Sequence, residues 1–117
     1  MERILIIIND APYGTEKPWN ALRLAKALII EKQSVSICLV GDGVLLAKKG
    51  QKPPKGFYNL GEMLVELISL GAEAKACRTC TDARGLAESD LISNISVGGF
   101  MPYVAKHVAE GSRLLSF

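Results

Sequence analysis

The chain has 117 residues, 49% hydrophobic and 22% charged, a composition that lets one domain (residues 1–117) bury its own core. A net charge of +2 is too small to argue for a nucleic-acid partner. No apolar run approaches the roughly 18 residues that span a bilayer, so no membrane segment is expected.

Arg3 to Ile8 is an Ile-rich run with the pattern of a strand covered on both faces, too short for a signal-peptide core. With only three cysteines and no secretion signal, a reducing cytoplasm is expected, where thiols serve chemistry more often than structure. The loop Asn9-Asp10-Ala11-Pro12-Tyr13-Gly14 follows. Thr15 is placed to cap a helix whose first turn accepts Pro18 and whose apolar residues Leu22, Ala25, Leu28 and Ile29 recur at helical spacing. Residues 34–40 form a second buried strand, so the chain opens as β-α-β with a right-handed crossover.

Asp42 is placed to cap a short helix over residues 44–48, followed by a loop over residues 51–58. Asn59 and Glu62 read as a capping box ahead of the apolar stripe Leu60, Met63, Leu64, Leu67 and Ile68, with Gly71 as its stop. A third strand ends at Cys77, and a helix is expected from about Thr79 or Thr81. Residues 86–92 suggest another short helix and residues 94–97 a short strand. Met101, Val104 and Val108 mark a last helix, and residues 112–117 a closing strand. Alternating strands and helices predict an α/β layer sandwich with a mostly parallel sheet.

The stretch Cys77-Arg78-Thr79-Cys80-Thr81-Asp82-Ala83-Arg84-Gly85 carries the chemistry. A thiol at a strand–helix junction meets free backbone N–H groups, and Arg78 and Arg84 add positive charge, all of which favour thiolate. Cys77 is therefore the candidate reactive sulfur. The bland alternative is a small buried hydrophobe at a strand end. Cys80 either resolves a Cys77 persulfide or forms a redox couple with Cys77. Asp82 and Arg84 read as a solvated ion pair or as part of the site, where Arg84 would steady a thiolate or bind an anionic sulfur donor. Asn9 and Tyr13 are loop residues at the same sheet edge, placed to line the pocket or to serve as turn chemistry.

Lys48, Lys49, Lys52 and Lys55 read as solvated surface, with an acidic docking partner as the other option. Gly41-Asp42-Gly43 lies outside the first β-α turn that a dinucleotide fingerprint requires, so nucleotide binding is not expected. Cys38 lies in an apolar strand and His107 on a late helix, which leaves no four ligands at zinc spacing and no metal site. His107, between Val104 and Val108, reads as a surface or interface residue. No cofactor is required.

With these residues in place, the sequence resembles the DsrE/DsrF-like superfamily, and within it the YchN-like branch. The matching pieces are Asn9-Asp10-Ala11-Pro12-Tyr13-Gly14, Asn20-Ala21-Leu22-Arg23-Leu24-Ala25, Gly50-Gln51-Lys52-Pro53, Gly56-Phe57-Tyr58-Asn59 and the Cys77–Gly85 stretch. The resemblance implies a five-stranded α/β/α sandwich, a homo-oligomer (a hexamer in this branch) and a link to intracellular sulfur transfer. It also implies a persulfide-carrying cysteine at the position of Cys77, as in a sulfurtransferase or sulfur carrier with donor and acceptor proteins. Cys80 is absent from the relay members and belongs to the YchN-like branch. In a hexamer, Phe57, Met101 and Tyr103 would pack between chains. Two other readings stand beside the carrier: a binding or scaffold protein whose thiols never turn over, and a Cys77–Cys80 disulfide oxidoreductase.

Overall fold

The computed structural model describes residues 3–117. Five strands, β1 (Arg3–Ile8), β2 (Ser34–Leu39), β3 (Glu73–Ala76), β4 (Ser96–Val97) and β5 (Arg113–Ser116), form one sheet in the order β4-β3-β2-β1-β5. Every pairing is parallel, so the expected mostly parallel sheet is parallel throughout. Four α-helices connect them: α1 (Lys17–Ile30), α2 (Leu60–Ser69), α3 (Arg78–Ala83) and α4 (Phe100–Ala109).

The order of the strands assigns the layers. From β1 to β2 to β3 the chain steps in one direction, so right-handed crossovers put α1 and α2 on one face, where they pack on each other. The step from β4 to β5 runs back across the sheet to the far side of β1, which puts α4 on the opposite face. The Ile-rich β1 is central and buried almost along its whole length, as its composition predicts. The core joins Leu5, Ile6, Ile8, Ile37 and Leu39 to Leu22, Leu60, Leu64 and Leu67 from α1 and α2.

The helix starts follow local chemistry, with differences from the sequence reading. The N-cap of α1 is Glu16; the Thr15 hydroxyl oxygen still accepts the Lys17 N–H at 3.3 Å while donating to Asp10. Of the predicted capping box, α2 shows the Asn59 half, its Oδ1 accepting the Glu62 N–H at 3.0 Å. Its amide also donates to Gln51 O, which ties the helix start to the preceding loop. That loop is further held by Tyr58, stacked on Trp19 with centroids 4.5 Å apart, while Arg23 lies near the same indole.

Three predicted elements take another form. The expected α-helix at residues 44–48 is a 3-10 turn, Gly41–Ala47, capped by Val40 and not by Asp42. The helix expected over residues 86–92 shrinks to a single turn, Glu88–Asp90, because Leu86 and Leu91 are both drawn into the core and Leu91 bridges to Lys48. The helix after β3 begins at Arg78, earlier than Thr79 or Thr81. Tyr103 is half-buried, not exposed: its hydroxyl engages Ser36 and donates to Glu73, and His107 meets its ring edge-on.

Candidate functional site

Cys77 is where β3 becomes α3. Its N–H donates to Leu39 O at 3.0 Å, extending the β3–β2 ladder by one rung, and its carbonyl accepts the Thr81 N–H, the first bond of the helix. The residue is therefore the N-cap of α3, with φ −72° and ψ 120°. An N-cap side chain sits over the start of its helix. Here the cap atom is sulfur. No backbone N–H closes a full cap bond to it, but Thr79 Oγ1 lies 3.2 Å from Cys77 Sγ. Burial pushes the Cys77 thiol up; the side chains of Cys80 and Thr79, followed by their backbone N–H groups, outweigh it and hold the thiol below its ordinary value.

Cys80 occupies the N3 position of the same short helix, on the side toward the turn that follows β2. The Gly41 N–H donates to Cys80 Sγ at 3.2 Å. Gly41 has φ +58°, a left-handed conformation suited to glycine. Two residues on, a Cβ at Gly43 would lie 2.0 Å from Ile8 O, so only glycine lets this turn pack against the end of β1. The Gly41-Asp42-Gly43 turn is thus pressed between the ends of β1 and β3.

Arg84 departs from the expected pairing with Asp82. Its Nε and Nη2 donate to Asp42 Oδ1 at 3.1 and 2.8 Å, and Nη1 donates to Cys80 O at 3.1 Å. Asp82 is exposed and takes no part in this bridge. Asp42 is the residue that the sequence reading missed at this site. The signal available was topological: β2 and β3 are adjacent in a parallel sheet, so the segments leaving their carboxyl ends must meet. Arg78 is engaged elsewhere, by Glu88 and Val97 O.

Asn9 and Tyr13 do not join the thiols. The Asn9 amide donates to Ser116 Oγ and Phe117 O, beside β5. The Tyr13 hydroxyl donates to Gln51 Oε1 at 2.6 Å and accepts the Leu60 N–H. Both are turn and loop chemistry, the bland alternative for each. Cys38 is fully buried in β2, and burial pushes its thiol up to about 12. Two surface hollows, ≈ 340 and ≈ 440 Å³, lie between α2 and the segment around Ile92, and neither is lined by a thiol. Among the described residues no group of three or more His, Cys, Asp or Glu side chains is placed to hold a metal, and no helix is long and apolar enough to cross a membrane.

The sequence and the fold as a whole are matched in known proteins. The DsrE/DsrF-like family model matches residues 2–117, and the chain belongs to that family. Within it the chain falls in the YchN-like branch: it is 36% identical to Protein YchN of Escherichia coli over the full length of both, and the crystal structure of that protein superposes with a TM-score of 0.91. An uncharacterised protein of Methanopyrus kandleri is 45% identical, over 97% of this chain and 93% of that one. A TusC homolog of Aliivibrio fischeri is 30% identical over 81% of this chain and 82% of its own length.

Proposed function

We propose that the protein handles sulfur in an intracellular relay, with Cys77 as the carrier of persulfide sulfur. Family membership and the relative named as a TusC homolog support a role related to sulfur relay. The observation that carries the finer reading is the setting of Cys77, whose thiol is lowered by Cys80 and Thr79. A thiolate is the nucleophile in sulfur exchange. The Cys77 thiolate attacks the terminal sulfur of a donor persulfide, R–S–SH. The Cys77 S–S bond forms, the donor S–S bond breaks, and R–S⁻ leaves with the electron pair, giving Cys77–S–SH. An acceptor thiolate reverses the step, taking the terminal sulfur and regenerating the Cys77 thiolate.

The nearness of Cys80 favours a second reading of the same pair. In that reading Cys80 attacks Cys77 Sγ of the persulfide, forming a Cys77–Cys80 disulfide and expelling HS⁻. Reduction by an external dithiol would then restore both thiols. The protein is further proposed to work as a homo-oligomer, a hexamer as the family resemblance implies.

Intact-mass spectrometry after incubation with a persulfide donor tests this, on the wild type and on Cys77→Ser and Cys80→Ser. A reducible gain of one sulfur atom, lost only in Cys77→Ser, is expected. Loss only in Cys80→Ser moves the carrier to the second thiol, and no gain in any variant sinks the carrier reading. A loss of two hydrogens with release of sulfide in the wild type alone marks the disulfide route.

A further inference from the structure

The Gly41-Asp42-Gly43 turn takes no part in the proposed sulfur transfer itself, yet it touches the thiol pair at two points. Gly41 supplies an N–H to Cys80 Sγ, and Asp42 holds Arg84, whose third donor is on Cys80 O. Arg84 therefore spans from the turn after β2 to the backbone of Cys80 itself. We propose that Asp42 is a positioning residue: through Arg84 it keeps Cys80 seated on the Gly41 N–H and facing Cys77. This rests on the reading of Cys77 and Cys80 as the working pair.

The turn is suited to such a task. Gly43 lies against Ile8 O with no room for a side chain, so the platform that presents the Gly41 N–H is packed directly on the end of β1. On the other side, α3 is only six residues long and gains little from its own hydrogen bonds. A short helix needs an external anchor, and Arg84, its C-cap residue, is one. A sulfur that accepts an N–H is polarised toward donating its own S–H, since linked hydrogen bonds reinforce one another. Seating Cys80 on Gly41 therefore strengthens what Cys80 offers to Cys77. The charged groups surrounding the pair are Arg78, Asp82 and Arg84 on α3, Asp42 on the turn after β2, and Glu88, which holds Arg78.

A positioning role and a plain charge effect predict opposite signs. If the bridge acted on Cys77 only through its charges, Asp42→Asn would remove a negative charge and ease thiolate formation, whereas Arg84→Gln would hinder it. If the bridge acts by seating Cys80, both variants release Cys80 and both hinder thiolate formation. The experiment is the pH dependence of Cys77 alkylation by iodoacetamide, read on the Cys77 peptide by mass spectrometry. It is run on Asp42→Asn, Arg84→Gln and Arg84→Lys, each with Cys80 present and with Cys80→Ser. Both bridge residues are at the surface, and a circular-dichroism melt of each variant verifies that it folds.

The expected result is an upward shift of the Cys77 midpoint by about half a pH unit in both Asp42→Asn and Arg84→Gln. That is roughly threefold slower alkylation below the midpoint, the scale of a half-exposed ion pair. Arg84→Lys, which keeps the charge and loses the forked bridge, falls between them and the wild type. The shift disappears when Cys80 is serine. Opposite shifts, no shift, or shifts that persist in Cys80→Ser would each overturn the proposal. Alkylation involves no sulfane sulfur, so this outcome is independent of whether Cys77 accepts a persulfide.

Discussion

Cys38 and Cys77 are both buried thiols, yet their surroundings push them in opposite directions. Cys77 has neighbours that favour its charged form, and Cys38 is enclosed among the apolar residues of β2. In the folded protein, iodoacetamide is expected to modify Cys77 at a pH where an ordinary thiol is slow, and to leave Cys38 untouched until the chain is unfolded. Peptide mapping before and after urea checks both. Cys38 also predicts a pH dependence of stability. Its folded pKa of about 12 lies above the ordinary thiol value of 9.0, so its contribution is complete below about pH 9 and is lost as pH rises toward 12. One proton at that offset is about 1.4 kcal/mol per pH unit. Urea midpoints at pH 8 and pH 10 should diverge less in Cys38→Ala than in the wild type, and equal divergence would remove Cys38 as the cause.

At the scale of elements, the regular strands and helices are legible because their apolar periodicity is strong, and at α2 the cap agrees with it. Asn59→Ala is expected to cost about 1 kcal/mol, the usual value for a lost N-cap, read as a lower urea midpoint with unchanged slope. Gly43→Ala is expected to be worse, at about 1–3 kcal/mol, because the new methyl meets the Ile8 carbonyl and cannot turn aside. An effect below half a kcal/mol would show that the turn can move. What the sequence reading got wrong lies where tertiary contacts decide. Residues 86–92 have helical content, but Leu86 and Leu91 are both needed in the core and no single helical turn supplies that. Asp42 looked like a cap and Asp82 looked like the partner of Arg84 because sequence distance favours near neighbours. The partner is 42 residues away, brought close only by the pairing of β2 with β3. Gln51 and Tyr58, within the pieces that carry the family resemblance, proved to hold the long loop through Tyr13 and Trp19.

Across the whole molecule, the order in which strands are added reverses between β1 and β5, the crevice where open parallel sheets commonly bind ligands. Here the Asn9 amide spans that crevice to Phe117, and the thiols stand two strands away, at the end of β3. The edge strand β5 is exposed throughout, with Leu114 at 42%, and on α4 Met101 is 63% exposed and Val108 46%. Exposed apolar residues on an unpaired edge and a neighbouring helix are what an assembly covers. Sedimentation at micromolar concentration should give a species several times the 12.6 kDa chain, shifted toward monomer in Met101→Glu/Leu114→Glu. A wild-type monomer would end the oligomer proposal.

The peptide N–H of Cys77 is a rung of the central sheet, bonded to Leu39 O, and the residue is 8% exposed. A sulfur mounted this way cannot reach out on a swinging arm as a thiol on a loose tail would. If Cys77 exchanges sulfur as proposed, the burden of travel falls on its partner. Under the proposed carrier role, a donor or acceptor would have to present a slender, mobile thiol to Cys77, while the cysteine itself stays where the sheet holds it.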